Sequence, residues 1–245
     1  MVIETMLLVD HVLILLLFIV LPVHGVFETR RYDAQESAGQ PFNRIRFYRH
    51  TAIMEWAYLA ALAGAWFAYG RPLADLGFVI PGGAGFWVGL AVLALFTGVL
   101  LFSWRAARKS SADDKAKQRE SLGKLVRDLP HNGRELRGFI GVSLTAGIVE
   151  EIVYRGFVFW YLGPIMPLWA AVAVSSFAFG LAHSYQGANG AVRCGLTGLA
   201  FGIFYVVTGS IWLPIIAHVL LDVLQGAALR EILGGKQSPL QAEPA

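Results

Sequence analysis

Seven apolar runs dominate the chain: Leu7–Phe27, Thr51–Gly70, Gly85–Trp104, Gly138–Leu162, Leu168–His183, Ala191–Thr208 and Ile211–Leu233. Most are close to the ~20 residues that a helix needs to cross about 30 Å of hydrocarbon. In lipid, every backbone N–H and C=O must be satisfied within the segment or by closing a barrel. Continuous apolar runs, rather than alternating ones, predict helices. The expected fold is therefore all-α: a polytopic transmembrane helical bundle of about seven spans. A chain that is 56% hydrophobic and 15% charged fits this and not a soluble globule. The single cysteine, Cys194, excludes an intramolecular disulfide.

The first run reads as a retained helix rather than a signal peptide. No Lys or Arg precedes it, Glu4 and Asp10 stand where positive charge belongs, and it is too long for a secretory core. Basic residues gather in two polar stretches, of which the first, Glu28–His50, is expected to be a loop. Glu28–His50 carries Arg30, Arg31, Arg44, Arg46 and Arg49. Arg105–Arg137 is longer, and within it Ser111–Leu129 is read as a solvated connector, with an interfacial helix on anionic headgroups as the alternative. The turns on the other side, Arg71–Gly83, Gly163–Pro167 and Gly209–Ser210, hold only Arg71. Under the positive-inside rule the N-terminus is outside, and the C-terminus, with Arg230 and Lys236, is cytoplasmic. The expected location is the cell's inner or plasma membrane. The net charge of +3 belongs to this topology and implies no nucleic-acid partner. Three parts follow: 1–137 with three spans, a four-span core over 138–233, and a tail, 234–245.

The fourth run carries Glu150, Glu151 and Arg155. An ionised group near the bilayer centre costs about 3 kcal/mol on insertion scales, so such residues mark function. Glu151 and Arg155 are i and i+4, on one helical face, and can neutralise each other. Glu150 is rotated about 100° away and has no basic partner on its own helix. Two more spans carry comparable groups. His183 ends the fifth, four residues after Phe179, and His218 and Asp222 are i and i+4 within the seventh. Glu55 is read as snorkelling to the interface, Arg193 as an interfacial charge, and His11, His24, His50 and His131 are given no role.

Glu-Glu-x-x-x-Arg (150–155), Phe-x-x-x-His (179–183) and His-x-x-x-Asp (218–222), in this order on successive helices, resemble the CPBP family. These are the CAAX-protease and bacteriocin-processing, or Abi, intramembrane endopeptidases, which include the type II CAAX prenyl endopeptidases. The resemblance covers roughly Arg137 to Gln225. It implies hydrolysis of a peptide bond in a membrane-associated protein or peptide. Glu150 would be the general base, His183 would share the water or stabilise charge, and His218 and Asp222 would bind the scissile carbonyl. Glu151 with Arg155 would hold the helix in register behind them. A zinc version would use Glu150, His183 and His218 as ligands, but the compact His-Glu-x-x-His arrangement is absent, which favours a metal-free glutamate mechanism. A proton-coupled transporter and a catalytically silent scaffold are the competing readings. The geometric expectation is that Glu150, His183, His218 and Asp222 converge on one cavity, displaced towards the cytoplasmic side, with Glu151 turned away.

Overall fold

The structure is a computed structural model that describes residues 6–80 and 82–234. Glu4, Lys236 and the tail from residue 235 lie outside the described residues. Eight helices account for the fold, with no strand among the described residues. They are α1 (Leu8–Ser37, containing a π-helical turn at Leu16–Val20), α2 (Arg44–Ala68), α3 (Gly83–Lys109), α4 (Ala112–Leu122), α5 (residues 133–162), α6 (Leu168–Ala182), α7 (Ala188–Thr208) and α8 (Trp212–Leu233). Five of them, α1, α2, α3, α7 and α8, are long and apolar enough to cross a membrane. The chain is an integral membrane helical bundle.

Two expected boundaries move, for one reason. Glu28–His50 is not a loop: α1 continues to Ser37 and α2 begins at Arg44, where the Asn43 side chain accepts from Arg46 N–H at 2.9 Å. Polar residues remain helical once a span has left the hydrocarbon, so hydropathy marks where lipid ends and not where the helix ends. Arg105–Arg137 is likewise mostly helical. It contains the end of α3, then α4 with its Ser111 N-cap, then a 3₁₀ turn at Gly123–Arg127. No residue of α4 is buried. Ion pairs tie this region to the bundle: Arg127 with Asp33, Glu36 and Asp128, and Arg44 with Glu135.

α5 runs through the core. It starts at an Asn132 cap that accepts from the N–H groups of Arg134 and Glu135. A π-helical turn at Ile152–Phe157 interrupts it, and every residue from Glu151 to Phe159 is buried. Its neighbours in the core include Leu62 and Trp66 of α2, Ala171 and Ala178 of α6, and Ile211 and Ile215 around the start of α8. π turns inside α-helices collect at functional sites, and this one follows directly on Glu150 and Glu151.

Arg71, the single basic residue of the turns opposite the basic stretches, is half of a buried ion pair. Its two terminal nitrogens each reach an Asp10 carboxylate oxygen at 2.7 Å, and its guanidinium lies 4.5 Å from the Trp160 ring centroid and 5.3 Å from that of Trp66. Asp10 is fully buried. Removing one member of a buried pair strands the other at a cost of about 3–5 kcal/mol. Arg71→Ala is therefore expected to lower the unfolding temperature in detergent sharply, and an unchanged transition would contradict the pairing.

Candidate functional site

α5 and α8 approach closely at Gly147. A Cβ there would lie 2.9 Å from the Val219 backbone nitrogen, closer than Cβ atoms come, and 3.2 Å from its Cα. Glycine thus lets the two backbones meet, and His218 comes to stand beside Glu151. The Glu151 Oε1 atom accepts from Arg155 Nη1 at 2.9 Å and from His218 Nδ1 at 2.8 Å. Arg155 also donates through Nη2 to the Gly198 carbonyl at 2.9 Å, and its guanidinium lies over Phe179 and Phe201. Glu151 and Arg155 are 0% and 1% exposed, so the pair is wholly desolvated. Glu151 does not line the cavity, as expected, but its role is wider than the i,i+4 spacing suggests. It fixes the orientation of a histidine on another helix, which no spacing rule within α5 reveals.

In front of this layer is Glu150. Its Oε1 is 3.8 Å from His183 Nε2, and its Oε2 is 3.7 Å from His218 Nε2. Asp222 Oδ2 lies 3.8 Å from the same His218 nitrogen. His183 Nδ1 is 2.8 Å from the Phe179 carbonyl, which can only accept, so Nδ1 carries the proton. In the neutral ring Nε2 is then an acceptor facing Glu150. His218 is oriented the same way by Glu151, so a proton on its Nε2 makes it an imidazolium, with its charge towards Glu150 and Asp222. The Phe179 ring packs 4.6 Å from His183, 5.0 Å from Tyr154 and 6.1 Å from His218, centroid to centroid. Phe201 stacks on His218 at 5.1 Å. Phe179 thus supports the site twice, through its carbonyl and through its ring.

All four expected residues, Glu150, His183, His218 and Asp222, line one cavity of ≈ 540 Å³. Its wall extends past Tyr48, Phe139 and Leu229 to Leu125 and Leu129 at the basic end of the bundle. This volume lies within the ordinary range for ligand sites, about 300–1,000 Å³. Asp128, also on the wall, lies beyond the spans, and burial pushes its carboxyl above the usual range against the pull of Arg127.

Two expectations change here. Glu55 does not snorkel to an interface. It lines the cavity with Glu150, and its Oε2 is buried with no hydrogen-bonding partner among the described residues. Arg193 is on the same wall, rather than only at the membrane boundary. His183 follows the 15 residues of α6, and the turn after it, Ser184–Gly187, lies beside Arg30, Leu125, Arg127 and Asp128 of the basic stretches. Glu55 was detectable in the sequence, since an intramembrane carboxylate is a functional candidate by default.

Glu150, His183 and His218 are of suitable donor types for zinc. Among the described residues, however, no three His, Cys, Asp or Glu side chains are gathered so that they could hold a metal ion. Because the donor set is not closed around one point, no step is assigned to a metal.

No curated protein and no solved structure matches the chain. Compared with known protein families, residues 133–224 match the family described as Type II CAAX prenyl endopeptidase Rce1-like. The matched segment contains all three motifs, from Glu150 to Asp222. It leaves α1 to α4 outside, and Glu55 with them. Over residues 133–224, less than half of the chain, the sequence is thus similar to the type II CAAX prenyl endopeptidase Rce1-like family.

Proposed function

We propose that the chain is an intramembrane CAAX-type endopeptidase in which Glu150 is the general base. The observation that carries this reading is a free carboxylate between two imidazole Nε2 atoms at 3.7 and 3.8 Å, on the wall of a cavity inside a membrane bundle. Glu150 and His183 can both reach one water. Glu150 takes its proton as the oxygen bonds to the scissile carbonyl carbon. The oxyanion that develops faces His218 and Asp222, which donate to it when Nε2–H and the carboxyl proton are present. Collapse breaks the C–N bond, and the proton held by Glu150 passes to the leaving nitrogen. Glu151 and Arg155 act behind His218 by fixing its ring.

The basic ends of the helices are assigned to the cytoplasm, which makes the cavity open on that side, with the N-terminus outside. The substrate is a membrane-associated protein or peptide whose chain enters from there.

Purified protein in detergent micelles, offered lipidated and unlipidated reporter peptides, tests the reading. Cutting at one bond by the wild type supports it. Proton-coupled transport in liposomes without cutting of any reporter contradicts it. Turnover that survives tight chelation supports the metal-free form. Silencing by chelation, with stoichiometric zinc bound at about 2.0–2.2 Å, contradicts it.

A further inference from the structure

Hydrolysis consumes one water per turnover, and a peptide lying in the main cavity displaces the water there. A second cavity of ≈ 180 Å³ lies behind the site, between α1, α2 and α5. It shares Thr51, Glu55 and Glu150 with the first, so the two meet at these side chains. Its walls are mostly apolar, including Leu17, Leu21, Met54 and Val153. Its outer end carries His24, Glu28 and His50, with His50 Nδ1 3.5 Å from Glu28 Oε2. A polar mouth on the basic side of the bundle thus leads along an apolar passage to the back of Glu150.

We propose that this rear cavity is the water entrance of the site, and that Glu55 is the positioning residue that hands water from it to Glu150. The proposal rests on the reading of Glu150 as base. Glu55 stands at the junction and makes no ion pair among those found for the described residues, and its Oε2 is buried without a protein partner. A carboxyl kept in that condition weakens the fold, so packing gives no reason for it. A water passing between the cavities supplies its partner. In each turnover the water oxygen joins the carbonyl carbon and its proton reaches the leaving nitrogen through Glu150. Water alone must be replaced, while Glu55 gives up no atom.

Two measurements test this. In the first, Glu55→Leu is expected to reduce kcat by at least ~10-fold, as for a misplaced reactant, with KM for the reporter peptide and the unfolding temperature not reduced. Glu55→Gln, which keeps a polar group at the junction, is expected to stay within ~3-fold of wild type. Wild-type kcat in Glu55→Leu overturns the proposal, and so does a loss of activity that follows a loss of stability. The second needs no protease activity and so is separable from the function above. Ala182, on the rear wall only, is replaced by Cys in a Cys194→Ser background and treated with a small charged thiol reagent. Met54→Trp, which narrows the rear cavity, is expected to slow labelling by at least ~10-fold, whereas Leu221→Trp, on the front wall, is not. Labelling slowed by Leu221→Trp and untouched by Met54→Trp means that water enters from the front, and overturns the proposal.

Discussion

Glu150→Gln is expected to lower turnover by at least ~10²-fold, the low end for loss of a general base. The fold should survive, because the amide has the same shape, and Glu150 makes no contact shorter than 3.7 Å among its ion pairs. Only the capacity to take a proton from water is removed. The variant should therefore insert, purify and unfold as the wild type does, and still bind reporter with a similar KM. The check is steady-state cleavage alongside thermal unfolding in the same detergent. Turnover near the wild-type level would remove Glu150 from the chemistry and leave the cavity without a base.

Arg155→Ala is expected to fail differently. The guanidinium is 1% exposed and neutralises Glu151, which is 0% exposed. Deleting it leaves a buried carboxylate with His218 as its remaining partner and a Gly198 carbonyl without its donor. A cost of roughly 3–5 kcal/mol follows from stranding one member of a buried pair. Activity should fall as well, since His218 is held by the same Glu151 oxygen. Thermal unfolding and cleavage should thus decline together, in contrast to Glu150→Gln. A stable but inactive Arg155→Ala would instead mean that the arginine acts on substrate.

The contrast between two adjacent carboxylates was legible from spacing alone. Glu151 has a basic residue at i+4 and Glu150 does not, and the structure assigns one to an ion pair and the other to the cavity. The ordered motifs were equally legible, because the residues proposed for hydrolysis stand out as polar groups on apolar helices, with His218 and Asp222 together on α8. What escaped involves partners far apart in sequence. The bond from His218 to Glu151 spans 67 residues, and the Asp10–Arg71 pair spans 61. Neither leaves a periodic trace. Glu55 was visible as an intramembrane carboxylate, but its value depends on two cavities meeting there, which only the packed bundle shows. The π-helical turn after Glu151 has no residue signature in Ile152–Phe157. The helical extensions at 28–37 and 44–50 escaped because hydropathy reports lipid contact rather than backbone conformation.

The central claim is that Glu150, His183, His218 and Asp222 act on one peptide bond. It is tested most directly by an experimental structure of Glu150→Gln with an uncleaved reporter peptide bound. The account predicts the scissile carbonyl carbon within about 3.5 Å of a water held between the residue 150 side chain and His183, a near-attack distance. The carbonyl oxygen should point at His218 Nε2 and Asp222, with the peptide leaving through the cavity walled by Phe139 and Leu229. A peptide bound elsewhere on the bundle, or one whose carbonyl faces away from His218, would contradict it.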